Sequence, residues 1–341
     1  MARARSWLVL IALLAVLAAG AWLAFRRPST PPLPGGVAAL DTVRLGGDEQ
    51  WVLARGRSDS NQVLLFLHGG PGTPLMYLAH AFQRELEESF VVVHWDQRGA
   101  GKSYRSDIPA GAMTTTRLLN DARELAEDLR RRFGGRRILV IGHGWGGLLG
   151  MVLAQRHPEL VRCYVGVGQV GSLRHVEELQ DRFIRAQAEL LGERKALENM
   201  DRLGGAVREK WLFRFGGELR DGTSSWDLLR LGFRSPEYSP LDLLRISWGA
   251  DFTRRTLRQD LFDGELADAV PAVTIPVYFF AGRYDQVVPP ETSAVYFDRL
   301  RAPRKRWVWF EQSAHYPFLE EPARFAAEMR LVGEECAAVG R

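Results

Sequence analysis

Residues Arg137-Ile-Leu-Val-Ile-Gly-His-Gly-Trp-Gly-Gly147 decide how this chain is read. Four uncharged apolar residues at 138–141 suit a buried strand, and the glycines that follow permit a tight bend. Small and apolar residues beyond the bend open a helix. The unit is strand, sharp turn, helix. Outward from it, β-rich runs at 63–67, 90–95, 163–167, 276–280 and 306–310 alternate with longer helical stretches, the pattern of a mostly parallel sheet covered on both faces. Runs at 41–45 and 50–54 flank Gly46-Gly47 as a leading hairpin. Between 170 and 268 the strand rhythm stops and charge-rich helical segments take over, then strands resume. The sequence therefore predicts one α/β core in two parts, 37–169 and 269–341, interrupted by an inserted helical cap at 170–268.

With 46% hydrophobic and 25% charged residues over 341 positions, the chain can bury a large core, which excludes a disordered protein. The net charge of +4 comes from scattered arginines, so the clustered basic stripe of a nucleic-acid binder is missing. Two cysteines, Cys163 in an apolar run and Cys336 near the C-terminus, support neither a disulfide framework nor a thiolate metal site, and both are expected to be inert. No metal and no cofactor is expected.

The glycines of the bend admit a rival reading. Gly142, Gly144 and Gly147 satisfy G-x-G-x-x-G after a strand, but the run at 163–167 ends without an acid to hold a ribose, and the turn falls midway along the chain. Gly101-Lys102-Ser103 mimics the end of a phosphate-binding loop, yet Asp96 stands where that loop needs glycine.

Three further segments carry chemistry. His68-Gly69-Gly70-Pro71-Gly72 follows a strand and frees backbone N–H groups of Gly69 and Gly70 to face a pocket, with the N–H of Trp145 as the matching donor of an oxyanion hole. Asp285 and His315 each follow a strand, where open α/β sheets place ligands. The order bend, acid, base suits a carboxylate that fixes an imidazole so that its other nitrogen takes a proton.

These blocks, together with Trp95-Asp-Gln-Arg-Gly-Ala-Gly-Lys-Ser103 and Gly282-x-x-Asp285, resemble the proline-iminopeptidase-like branch of the α/β hydrolases over about 56–322. The resemblance implies an α/β-hydrolase fold, a catalytic triad of nucleophile, Asp285 and His315, and short-peptide, amide or ester substrates. It implies that 95–103 braces the loop beside the pocket. The sequence departs from the pattern twice. Gly144 stands at the nucleophile position, so the acyl-enzyme route is closed and hydrolysis is expected to be lost or strongly impaired. The cap lacks a clear tryptophan-plus-glutamate block for gripping a free amino terminus. Glu177, Glu178 and Trp248 are taken as substrate-binding candidates, with Glu218 and Glu237 as other acids of the cap. No neighbouring residue is an obvious replacement for the nucleophile, and Ser103 could approach only if its loop folds into the pocket. Two alternatives stay open: a non-hydrolytic enzyme using the histidine–aspartate pair as general base, and a small-molecule binding protein.

At the N-terminus, Arg3 and Arg5 precede an uncharged run at 7–25, followed by Arg26, Arg27 and prolines at 28–34. The run is about the ~20 residues a spanning helix needs. Residues 1–27 are therefore expected to anchor the protein in a membrane with the domain extracytoplasmic, and 28–36 to form a stiff spacer lifting the domain off the bilayer. The alternative is a signal peptide, cleaved near Ala19-Gly20-Ala21, and a secreted protein.

Overall fold

The structure, a computed structural model, describes residues 20, 28–220, 222–260 and 265–338. The anchor or signal peptide read at 1–27 thus lies, Gly20 apart, outside the described residues. No helix among the described residues is long and apolar enough to cross a membrane.

Eight strands form one sheet: β1 (Val37–Leu45), β2 (Asp48–Gly56), β3 (Gln62–Leu67), β4 (Phe90–Trp95), β5 (Ile138–His143), β6 (Val161–Val167), β7 (Val277–Gly282) and β8 (Lys305–Phe310). Their order is β1-β2-β4-β3-β5-β6-β7-β8. The β1–β2 and β2–β4 pairs are antiparallel and the rest parallel. Parallel strands covered on both faces need apolar residues on both, and β3 shows this: Val63, Leu65 and Leu67 enter one core, Leu64 and Phe66 the other.

The first core is closed by helices α1 (Thr115–Arg132) and α2 (Gly146–Arg156). Thr114 caps α1 by accepting the Arg117 N–H at 3.0 Å, and Leu118, Leu119, Ala122, Leu125, Ala126 and Leu129 form its buried stripe. Between β6 and β7 the chain leaves the sheet for α3 (Leu173–Leu190), α4 (Arg194–Leu203), α5 (Arg208–Arg214), α6 (Ser225–Arg234) and α7 (Pro240–Thr256). Helices α3, α4 and α5 share a small core of their own around Ile184, Met200 and Trp211. Helix α8 (Pro290–Arg299) returns to the first face and α9 (Pro322–Ala338) covers the second with Phe325, Met329 and Val332.

Two expectations are corrected. Cys163 and Cys336 are not two independent thiols but a buried disulfide, with Cα atoms 6.2 Å apart across a separation of 173 residues. The cause is tertiary: α9 lies on the face of the sheet to which β6 presents Cys163. The proline-rich stretch does not stand clear of the domain either. Ser29 N–H donates to the Pro236 carbonyl at 3.0 Å and Thr30 Oγ1 to Glu237 Oε1 at 3.0 Å. The buried Arg55 guanidinium, needing acceptors, donates to Thr30 Oγ1, to the Pro31 carbonyl and to Glu87.

Candidate active site

Gly144 sits in the turn between β5 and α2 with φ +53°. A side chain there would be held in the left-handed region, the strained geometry that pushes a residue out of a sharp strand-to-helix bend. A Cβ built on Gly144 would lie 2.9 Å from His315 Nε2 and 3.3 Å from its Cε1. The imidazole thus faces the position from which a nucleophile would project.

The ring is set by its other nitrogen. His315 Nδ1 lies 2.8 Å from Asp285 Oδ2, and both residues are buried. Asp285 Oδ1 accepts the N–H groups of Val287 and Val288 at 2.9 and 2.8 Å. A carboxylate held this way accepts from Nδ1–H, which leaves the Nε2 lone pair toward Gly144. Burial lowers the His315 pKa, but the Asp285 charge and hydrogen bond, helped by Glu218 and Glu320, outweigh it, and the net shift is upward. Gly168, at φ +54°, makes room for the pair, since a Cβ there would meet His315 Cε1 at 2.8 Å and Asp285 Oδ2 at 3.0 Å.

A cavity of about 410 Å³ opens over this pair, and its wall includes Gly69, Gly70, Gly144, Trp145, Glu177, Glu218 and His315. Among the described residues nothing accepts from the N–H of Gly70 or Trp145, so both remain available to an oxygen in the cavity. No group of three or more His, Cys, Asp or Glu side chains among the described residues is placed to hold a metal ion.

The cap candidates separate. Glu177 lines the cavity and pairs with Arg208 at 3.1 Å. Glu178 does not line it; one residue further along α3 it is turned about 100° away, to solvent. Trp248 is also outside, on the outer face of α7 and 49% exposed. Glu237 is buried with Thr30 and Ser235 as partners. Ser103 is committed elsewhere, donating to the Asp96 carbonyl at 2.6 Å and accepting the Trp51 N–H at 2.8 Å.

Glu218 is different. It lines the cavity half-buried, its Oε1 accepts only from Tyr316 OH at 3.3 Å, and among the described residues no lysine or arginine pairs with it. Burial above all, then the Glu209 and Asp285 charges, push its carboxyl up to about 7, against the pull of His315 and the Tyr316 hydrogen bond. The other acids of the wall are neutralised, Glu177 by Arg208 and Glu209 by Arg254 at 3.3 Å.

Several supporting residues escaped the sequence reading. His143 Nε2 lies 2.9 Å from the His315 carbonyl; a carbonyl only accepts, so Nε2 carries the proton. Burial, reinforced by the neighbouring His315, holds His143 well below its ordinary pKa and keeps it neutral. His68 is likewise lowered to about 4 by burial; its Nε2 accepts the Gln97 N–H at 3.1 Å, which leaves Nδ1–H for the Gly69 carbonyl at 3.0 Å. The cap segment Gly217-Glu218 ties the acid and base loops together, its carbonyls accepting from Gln286 N at 2.9 Å and His315 N at 3.0 Å. The loop 95–103, expected from the resemblance to act structurally, is held through Arg98 to Asp121 at 2.8 Å and Lys102 to Asp242 of the cap at 2.9 Å.

A turn after β5, an acid after β7 and a base after β8, all opening into one cavity beneath a helical insertion, define the α/β-hydrolase class of site, here with glycine at the bend. The chain belongs to the alpha/beta hydrolase fold family, whose profile matches residues 62–322. It is 34% identical over 303 residues to the probable aminopeptidase YbaC of Bacillus subtilis (strain 168), covering 85% of this chain and 94% of that one. It is 26% identical to the proline iminopeptidase of Clostridioides difficile (strain 630), over 79% of this chain and 88% of the relative. The crystal structure of proline iminopeptidase from Mycobacterium smegmatis superposes with a TM-score of 0.68 at 23% identity, covering 89% of this chain and all of that one.

Proposed function

We propose that this protein binds short peptides, amino-acyl amides or amino-acyl esters by their free amino group, and that its hydrolysis of them is strongly impaired by the glycine at the nucleophile position. The observation that carries this reading is the His315 Nε2 atom aimed at an unoccupied Cβ position on Gly144. The substrate carbonyl oxygen would take the N–H groups of Gly70 and Trp145, and the ammonium group would pair with Glu218, the one cavity acid without a cation among the described residues. A covalent acyl-enzyme needs a hydroxyl at 144. Without it, the His315–Asp285 pair can only activate water, and the remaining rate enhancement is that of the oxyanion donors and binding, about 10³–10⁴-fold over water. The aminopeptidase and iminopeptidase names of the relatives support the substrate class.

Thermal-shift titration with an amino-acid amide and its N-acetylated counterpart tests this. The free amine should stabilise the chain and the acetylated compound should not; equal stabilisation by both would contradict the amine site.

A second reading, a non-hydrolytic enzyme that uses the pair as general base, is favoured by the raised pKa and intact geometry of His315. If turnover of every accepted substrate survives His315→Ala, that reading fails. We also propose that residues 1–27 anchor the protein with its domain in an oxidising compartment. The buried disulfide supports this placement.

A further inference from the structure

The first described residues after the apolar run are held at one place. Ser29 and Thr30 bond to Pro236 and Glu237, in the loop joining α6 to α7. Three residues lie between Phe25, the last of the run, and Ser29, so four Cα–Cα steps join them, and at about 3.5 Å each these span at most about 14 Å. Any bilayer that receives residues 7–25 therefore lies within that reach of the α6–α7 loop.

Both helices flanking that loop are apolar on the side turned away from the core. On α6, Trp226, Leu229 and Phe233 are 68, 37 and 57% exposed; on α7, Leu241, Leu244 and Trp248 are 44, 56 and 49% exposed. Each set follows the spacing i, i+3, i+7, which keeps its members within one narrow stripe. The inner faces are already used: Leu228 and Leu231 of α6, and Leu243 and Ile246 of α7, pack on clusters that share Tyr77. The α7 stripe turns polar at Asp251 and Arg255, at the end away from the loop. Arg230 and Arg234 are exposed beside the α6 stripe. Isolated exposed apolar residues are ordinary, but six large ones on two helices bracketing the attachment point are more than scattered exposure.

We propose that this face of α6 and α7 docks on the phospholipid surface, with Trp226 and Trp248 seated among the headgroups. The proposal rests on residues 7–25 being inserted in the bilayer. Three observations favour lipid as the occupant. The short attachment holds the face at high effective concentration near the bilayer. Tryptophans suit the headgroup level. The flanking arginines suit anionic lipid. Helix α7 also carries Arg254 into the cavity wall, so the docked face and the pocket share one helix.

The test uses the full chain in vesicles of phosphatidylcholine and phosphatidylglycerol, plain or with brominated acyl chains. Flotation with the vesicles reports insertion of residues 7–25. The emission difference between the chain and its Trp226→Phe/Trp248→Phe variant isolates two of the ten tryptophans, and it should lose about half or more of its intensity in brominated vesicles. A chain that floats with this difference unquenched retains its anchor but has its face in water or on another protein surface, which overturns the docking. A chain that does not float overturns both. Should the double variant fold poorly, each single phenylalanine variant gives the same reading for its own tryptophan.

Discussion

Binding of a free amine to Glu218 should depend on pH in a way that no neutral contact reproduces. Its carboxyl is pushed up to about 7, so at pH 6 only about one site in eleven is ionised, and affinity there should be about tenfold below its ceiling. The α-amino group of an amino-acid amide loses its proton near about 7.7–8.0, so affinity should fall again above that range. The profile is a bell peaking between pH 7 and 8, and below the peak each binding event should release protons as Glu218 ionises. Replacing the carboxylate in Glu218→Gln removes a charge-assisted contact worth about 1.5–3 kcal/mol, roughly 10- to 150-fold in affinity, and should flatten the acid limb. Calorimetric titration of alaninamide or prolinamide from pH 5.5 to 9, in buffers of different ionisation enthalpy, measures both affinity and proton release. Affinity that is flat across this range, or unchanged in Glu218→Gln, refutes the assignment.

Two further predictions concern the fold and the histidine. The disulfide closes a separation of 173 residues, for which chain entropy sets a stabilisation of about 5 kcal/mol at most; Cys163→Ala/Cys336→Ala should lower the urea midpoint markedly, and an unchanged midpoint would count against the bond. His315 has a folded pKa above its unfolded value of 6.5, so its contribution to stability is full below pH 6.5 and is lost as pH rises through the raised value. The stability gap between the chain and His315→Ala, from urea denaturation, should therefore shrink from pH 5.5 to pH 9; a gap that stays constant or widens contradicts the pairing.

Much of this architecture is legible locally. The runs at 63–67 and 138–141 are continuous apolar segments because parallel strands bury both faces, so β3 and β5 fall where the sequence puts them. Asp285 and His315 could be singled out because each follows such a run, and the sheet brings those loops to one edge. What escaped depends on contacts across long separations. Cys163 and Cys336 meet only because α9 lies across the sheet. Glu218 differs from Glu177 by having no cation beside it among the described residues, and from Glu178 by lining the cavity, and neither difference is visible in its neighbours in sequence. His143 carries no assigned role in the sequence, and only the fold puts its ring against the His315 carbonyl. Trp248 is a substrate-binding candidate in the sequence, yet its place on α7 turns it outward. The prolines at 28–34 suggested a free spacer, and Arg55 supplied the donors that hold residues 30 and 31 down.

His315, the N–H groups of Gly70 and Trp145, and residue 144 are proposed to form one hydrolytic site lacking only its hydroxyl. The direct measurement is fluorophosphonate labelling and amino-acyl p-nitroanilide hydrolysis by the chain and by Gly144→Ser. The new Cβ would start 2.9 Å from His315 Nε2, about 0.5 Å short of ordinary contact, so the ring must retreat slightly. Serine at φ +53° costs about 1–2 kcal/mol, a fall in Tm of roughly 2–3 °C for a domain of this size. A folded Gly144→Ser protein should label at residue 144 and gain at least about 10³-fold in rate, and His315→Ala should abolish both. A folded variant that neither labels nor gains activity would contradict the account.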